Sequence, residues 1–464
     1  MESTTAAPNS AAATAAPVAR GKVDILVCIV IASLPPFWLP AFRFPGGGGV
    51  EFGHLTSLLL LAATAYNVVA WPKLLEVVRR DWFLAYILLY GILATAGLMH
   101  GEPQTLSFVF GRVFWATIML CLIARQPSAR TIYWAVVYAV LCFFLCFLYS
   151  SNQAGLSIID LYTEVFFNGN TYFGRYQYLK DLIHHYADPF APIGRREDSV
   201  NIFSYVSILF TFLLLLTRNA VERFRGKTIL DNLLVIFATS FSIIALSRTA
   251  ILILLACILV SLVIISLKSG SAGGFLGLFG LGIVMLLALG TDSSISEGLR
   301  DRFFNDDASI DARVSLNDYA NDIISQNPFT GNGSINSETD QLSFHNLYLG
   351  AWAAAGVGGL VAALFYLTVF ILNWLRAVTI ARLPRREING WSINWLHALM
   401  LPPILMSFVS GGLGLVGGFA LITIGIGFLA IDQVTATIKA QQVDATDDEA
   451  APQTCQAPVE HSAS

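Results

Sequence analysis

The chain has 464 residues, of which 55% are hydrophobic and only 12% charged, and its mean hydropathy is +0.65. A soluble domain carries about 25% charged residues, so lipid has to replace water around much of this protein. The formal net charge of -4 argues against nucleic acid as a partner.

Residues 1–22 begin MESTTAAPNSAAATAAPVAR, rich in Ala, Thr, Ser and Pro, and are expected to form a disordered cytoplasmic leader. A secretory signal would carry an apolar core close behind its basic start. Here Arg20 and Lys22 stand directly before the first apolar run, as a cytoplasmic anchor would. Runs apolar enough to span a bilayer follow at 23–41, 54–71, 82–99, 106–124, 132–150, 201–217, 229–246, 250–267, 274–290, 346–374, 394–411 and 413–433. They predict an all-α integral membrane fold of about twelve transmembrane helices, each needing about 20 residues. This polytopic domain covers 23–433, and an acidic disordered tail, 434–464, carries Asp444, Asp447, Asp448 and Glu449. Pro402-Pro403 is expected to kink the run 394–411.

Placing the N-terminus in the cytoplasm and alternating sides gives a consistent charge pattern. The cytoplasmic connections then hold Lys73, Arg79 and Arg80; Arg125 and Arg130; Arg218, Arg223, Arg225 and Lys227; Lys268; and Arg376, Arg382, Arg385 and Arg386. The short outer connection 100–105 holds none, which is the positive-inside pattern. Both termini then lie in the cytoplasm. Two long segments, 151–200 and 291–345, fall outside, and connections of that length are functional or disordered. The six cysteines form no Cys-x-x-Cys pair and none lies in these loops, so they read as small apolar residues rather than a disulfide framework.

The second loop has internal order. Over 309–325 (SIDARVSLNDYANDIIS) the residues Leu316, Tyr319, Ala320 and Ile323 share one helical face. Asn327-Pro328 ends that helix and Gly331-Asn332-Gly333 makes a turn. The pattern predicts an amphipathic helix on the membrane surface followed by a tight loop.

Candidate functional residues gather at the outer face. Arg248, in ALSRTAIL, stands between two apolar runs without polar padding, which suits either a bound anion or a snorkelling helix end. Arg313 lies at the start of the surface helix. Arg300 and Arg302 have Asp301, Asp306, Asp307 and Asp311 as ready ion-pair partners. In the first loop Arg195-Arg196 precedes Asn201 and suits either phosphate or ordinary interfacial charge. His345 closes the second loop and opens the next span, where a neutral imidazole acts either as a general base or as a cap. Behind it Gly350, Ala354 and Gly358 recur every fourth residue, the spacing of small-residue packing between membrane helices. The outer loops carry no Asp-x-Asp carboxylate pair for a metal, and the chain has no Walker or dinucleotide loop.

Three of these features, in this order, resemble the bacterial O-antigen ligase and O-antigen polymerase family. They are Ser247-Arg248-Thr249 between two spans; Arg313 followed by a helix ending in NPFTGNG (327–333); and His345-Asn346, nine residues, Gly356, two residues, Gly359. The resemblance is concentrated in about 195–360, while Arg196 and Asn201 match the family's arginine and asparagine of the first loop more loosely. The resemblance implies about twelve spans, a large periplasmic loop and an inner-membrane glycosyltransferase of lipopolysaccharide or exopolysaccharide biosynthesis. The implied donor is a glycan on undecaprenyl pyrophosphate; the acceptor is a glycan or lipid-linked glycan, and other polysaccharide export components are possible partners. His345 would be the base, and Arg248, Arg313 and Arg196 would engage the pyrophosphate. Asn346, Gly331, Gly333, Gly356 and Gly359 would shape the site, with no metal or cofactor and with inversion at the anomeric carbon. Within the family the long first outer loop leans the reading toward a polymerase of lipid-linked repeat units. The alternative is a ligase transferring the finished glycan to lipid A-core or another acceptor. A transporter remains a second alternative, but the suspicious residues lie at the outer face and not at the midplane that transporters use.

Overall fold

The computed structural model describes residues 22–34, 40–43, 49–67, 70–153, 199–222, 225–244, 248–269, 276–277, 280, 307–334, 346–409 and 418–450. The helices, in chain order, are α1 (Ile25–Ser33), α2 (Phe52–Tyr66), α3 (Trp71–Val78), α4 (Asp81–His100), α5 (Pro103–Ala124), α6 (Ala129–Gln153) and α7 (Ser199–Thr217). After them come α8 (Lys227–Ile244), α9 (Arg248–Ser269), α10 (Asp307–Gln326), α11 (Leu347–Ala381), α12 (Leu401–Val409) and α13 (Gly418–Ala450). The strand pairs are two small antiparallel hairpins, β1 (Pro40–Arg43) with β2 (Gly49–Glu51) and β3 (Glu387–Ile388) with β4 (Trp391–Ser392).

Among the described residues, four helices are long and apolar enough to cross a membrane: 81–100, 250–268, 347–381 and 421–443. The bent pair α2–α3, turned by 112°, makes a fifth if it counts as one span. Shorter apolar helices lie at 109–124, 129–145, 204–217 and 393–408. Their outer faces are apolar too: on α11, Val361, Leu364, Phe365, Leu372 and Leu375 are exposed while Ala362, Ala363, Val369 and Phe370 are buried. Such a helix suits lipid on one side and protein on the other. The chain is a multi-pass membrane protein built on helices.

Three expected elements come out differently. The run 23–41 is helical only to Ser33. Pro35-Pro36 disfavours helix in the residue before it, and the chain reaches β1 instead. The run 394–411 is interrupted beside Pro402-Pro403 and begins as a 3-10 helix, Ile393–Leu399, which stops at Met400 before α12 takes the two prolines into its first turn. Proline is tolerated there because those N–H groups have no intrahelical partner. The tail expected to be disordered from 434 continues α13 to Ala450. Neither Gly nor Pro interrupts 428–451, and hydrogen bonds from Arg385 to Gln441 and from Asn389 to Thr437 hold the extension against the β3–β4 turn. The leader 1–21, most of loop 151–200 and most of 270–306 lie outside the described residues.

Among the described residues the main apolar cluster runs through the bundle, and a second, small one joins α10 to α11. Trp82 stacks on Phe428 at 4.5 Å, and Phe370 meets Phe428 edge-on at 5.5 Å, tying α4, α11 and α13 together. At one end of the bundle the basic connections meet. Arg125 pairs with Asp24 at 2.7 Å, and Lys227 with Asp231 at 2.6 Å, where Tyr133 also donates at 2.7 Å. Arg80 and Arg376 flank Asp432 at 3.4 and 3.7 Å. Lys268 donates to the Arg385 carbonyl and to Asn394, and Trp391 reaches Gln433, which reaches the Pro127 carbonyl. Residues that the charge pattern groups on one side therefore share one end. At the opposite end the connection 100–105 meets the turn 327–333.

Candidate functional site

The site is built where the turn after α10 docks onto a break in α11. Asn346 caps α11, its carboxamide oxygen accepting from the N–H groups of Tyr348 at 2.9 Å and Leu349 at 3.2 Å. Asparagine is a preferred residue for this task. The helix is interrupted at Ala355 (φ -130°, ψ 18°) and Gly356 (φ 63°, ψ -156°). An interruption orphans backbone groups, and each buried orphan costs about 1–3 kcal/mol.

The turn supplies the missing partners. Asn332 N–H donates to the Ala353 carbonyl at 2.9 Å, Gly333 N–H to the Ala354 carbonyl at 2.8 Å, and Val357 N–H to the Pro328 carbonyl at 2.9 Å. Trp352 Nε1 donates to the same Pro328 carbonyl at 3.1 Å. Within the turn, Gly331 N–H closes on the Asn327 carbonyl at 3.0 Å and Ser334 N–H on the Asn332 side chain at 3.0 Å. Thr105, at the start of α5, donates to the Gly333 carbonyl at 2.8 Å, so α4, α5, α10 and α11 converge on one junction.

Two glycines show why the spacing is needed. At Gly331 (φ +66°) a Cβ would stand 2.4 Å from the Ala354 carbonyl carbon, and at Gly356 (φ +63°) 2.1 Å from the Phe329 carbonyl. Both positions are left-handed and in backbone-to-backbone contact, so only glycine fits them. Gly333 lies against His100 and Gly359 against the Ala351 carbonyl at similarly short range. The string His-Asn-x9-Gly-x-x-Gly and the turn NPFTGNG are thus the two halves of one interlock.

α10 packs on α11 beside this junction. Leu316, Ala320 and Ile323 are buried, and Ala320 and Ile323 pack with Ala353 of α11, bordered by Tyr319, Ile324 and Leu349. This is the apolar face expected from the sequence. The backbone of Arg313 lies in α10, three residues before Leu316. Arg248 is the first residue of α9. The side chains of Arg248 and Arg313 lie outside the described residues, as do Arg196 and His345; His345 directly precedes the Asn346 cap. Gly331, Gly333 and Gly356 meet where the turn docks on the break, Gly359 lies against Ala351 of the same helix, and Asn346 stands at that helix's start. Among the described residues no group of three or more His, Cys, Asp or Glu could hold a metal ion.

One charge escapes the pattern of outer-face residues. Arg112 lies in α5, inside the apolar run 106–124, and is half-buried. An arginine at mid-bilayer costs about 2.5–3.5 kcal/mol on insertion scales, and that cost is the signal by which a sequence can reveal it. Tyr86 donates to the Arg112 carbonyl at 3.2 Å, and its ring lies 4.4 Å from that of Tyr90.

No curated protein matches the chain. A family model described as O-antigen ligase matches residues 233–364, a stretch that runs from within α8 through α9, α10 and the interlocking turn into α11. That segment is similar to the O-antigen ligase family, in agreement with the resemblance of the motifs.

Proposed function

We propose that this protein transfers glycan from an undecaprenyl-pyrophosphate-linked donor at the periplasmic face of the inner membrane. The observation that carries the reading is the interlock of the 327–333 turn with the break in α11. It fixes, on one rigid support, the position directly after His345 and the helix that bears Arg313. In this reading His345 takes the proton of the attacking acceptor hydroxyl. Positioned bases contribute about 10²–10⁴-fold to such steps. Arg248, Arg313 and Arg196 hold the pyrophosphate, whose negative charge grows as the glycosidic bond breaks; fixed guanidinium groups in a site of low dielectric stabilise it without a metal. Direct displacement inverts the anomeric carbon. α10 lies along the outer membrane surface, and both termini face the cytoplasm.

The description of the matched family favours a ligase, with lipid A-core or a similar molecule as acceptor. The polymerase reading, with a second lipid-linked repeat unit as acceptor, rests on the length of 151–200. Purified protein in lipid nanodiscs, given lipid-linked glycan and each acceptor separately, distinguishes the two by which product forms. Transfer is expected to persist in excess EDTA. Loss on chelation with recovery on adding a divalent ion would sink the arginine-only mechanism, and transfer to neither acceptor would sink the glycosyltransferase reading.

A further inference from the structure

In the docking turn, the backbone of Phe329 is clamped and its side chain is bare. Its carbonyl lies against Gly356. The Pro328 carbonyl before it receives Val357 N–H at 2.9 Å and Trp352 Nε1 at 3.1 Å. The side chain itself is 78% exposed.

The neighbours of Phe329 say what covers it. On α11 no residue from 347 to 356 is exposed. Exposure begins directly after the break, at Val357, and continues through Val361, Leu364 and Phe365, one apolar stripe at helical spacing. Val357 is the residue bonded to the Pro328 carbonyl, so Phe329 prolongs that stripe onto the turn. α4 gives the height. A Cβ at Gly358 would stand 3.9 Å from Ile92 Cγ2, so the two helices run side by side there. From Ile92 toward the turn, α4 still exposes Leu98 and Met99, the latter roughly 10 Å further along at a rise of about 1.5 Å per residue. The turn therefore docks within the apolar height of α4 and not beyond it.

The other flank of Phe329 is polar. Asp318, Asn321, Asp322, Gln326 and Thr330 are exposed. An aromatic ring between a polar face and a lipid-facing stripe fits the boundary of headgroups and acyl chains, where surface helices bury their apolar side chains about 5–10 Å deep. The stretch 314–344 contains no Lys or Arg. With two exposed carboxylates and no cation beside it, this surface does not suit anionic headgroups, and its attraction to lipid is apolar.

We propose that Phe329 inserts among the acyl chains of the leaflet at the end of the bundle opposite the ion pairs, and so pins the 327–333 turn and the break in α11 at the membrane boundary. The partner is the bulk lipid of the bilayer. The inference needs only the membrane setting and stands whatever the protein transfers.

The test uses full-length protein in phosphatidylcholine nanodiscs with a nitroxide attached to Phe329→Cys. References carry it at Val361→Cys on the lipid-facing stripe or at Ser325→Cys on the exposed side of α10, and the signal of labelled protein that keeps Phe329 is subtracted. Collisions with oxygen report lipid, and collisions with a water-soluble nickel chelate report water. The label at 329 is expected to match that at 361, rich in oxygen collisions and several-fold poorer in nickel collisions than the label at 325. Equal nickel access at 329 and 325 overturns the inference. Protection at 329 that appears only on adding undecaprenyl diphosphate gives the surface to the polyprenyl chain and overturns the bilayer assignment. Protection that needs phosphatidylglycerol and is lost in high salt overturns the apolar insertion. Pinning is read separately, by hydrogen exchange at the Asn332, Gly333 and Val357 amides that join turn and helix. Phe329→Leu is expected to exchange as wild type does. Phe329→Asp places a charge where hydrocarbon penalises it, and is expected to exchange several-fold faster at these amides while those of α13 stay as in wild type. Folded Phe329→Asp protein with unchanged exchange at the joint overturns the pinning.

Discussion

The two ends of the bundle are held together by different chemistry. At the basic end, Arg125–Asp24, Lys227–Asp231 and Arg80–Asp432–Arg376 join the helices through ion pairs. Where the 327–333 turn meets α11, the joints among the described residues are backbone hydrogen bonds and glycine contacts: Asn332 to Ala353, Gly333 to Ala354, Val357 to Pro328. A scaffold that closes on backbone groups does not consume side-chain charge in its own assembly. Arginines placed on such a scaffold remain usable for an anionic substrate, whereas an arginine already paired with a carboxylate has its field largely cancelled. Under the proposed function, architecture belongs to the first end and chemistry to the second, and substitutions at each end test that division.

The largest effect is expected from the residues proposed to act on the donor and the acceptor. His345→Ala should lower transfer by about 10²-fold or more while protein level and donor binding stay near wild type, because a base acts mainly in the transition state. Arg248→Ala and Arg313→Ala should weaken both donor binding and turnover, with lysine restoring only part of each, since it keeps charge and loses the planar fork. Accumulation of untransferred lipid-linked glycan, with expression checked in the membrane fraction, reads all three. Full activity of well-expressed His345→Ala protein would remove the catalytic role.

Gly356→Ala tests the interlock itself. The new Cβ would meet the Phe329 carbonyl at 2.1 Å, and its residue would be held at φ +63°. Left-handed strain costs about 1–3 kcal/mol, and the steric conflict adds to it unless the turn separates from the helix. Transfer per folded molecule is expected to fall by at least an order of magnitude, with a lower Tm in detergent. Gly358→Ala is the control: the nearest atom to its Cβ would be Ile92 Cγ2 at 3.9 Å, so little should change. Equal behaviour of the two variants would refute the interlock.

Much of this junction is legible in the amino-acid sequence. The spacing of Leu316, Ala320 and Ile323 marks α10 and its buried face because a helix packing on one neighbour shows its period directly. The turn is readable because Asn-Pro and Gly-Asn-Gly are backbone punctuation. The break at Ala355-Gly356 is not. Glycine in an apolar run reads as small-residue packing, and only the turn far upstream, supplying partners for Ala353, Ala354 and Val357, makes an interruption stable. Hence the stripe Gly350, Ala354, Gly358 stands out by period, while the close contacts lie at Gly356 and Gly359. Arg112 is hidden for the opposite reason: a run of apolar neighbours averages one charge away. The helical extension to Ala450 depends on contacts with the β3–β4 turn, distant in sequence.

The smallest effect is expected at the basic end. In Asp432 the side chain is 30% exposed, and its partners Arg80 and Arg376 are 39% and 42% exposed, at 3.4 and 3.7 Å. Pairs open to solvent to this degree contribute about 0–1 kcal/mol, and salt weakens them further. Asp432→Asn keeps the shape of the side chain and removes its charge, so it should lower Tm by no more than a few degrees. Glycan transfer by the folded protein should stay within about twofold of wild type, the range that a loss of about 0.4 kcal/mol produces. The measurement is made beside Gly356→Ala in the same nanodisc preparation, with folded fraction determined for each. If Asp432→Asn retained its folded fraction yet lost transfer as severely as Gly356→Ala, the two ends would have to share an equilibrium between conformations. The division into a paired structural end and an open chemical end would then give way to a coupled machine, in which α11 and α13, both reached by the Asp432 cluster, carry changes from one face of the membrane to the other.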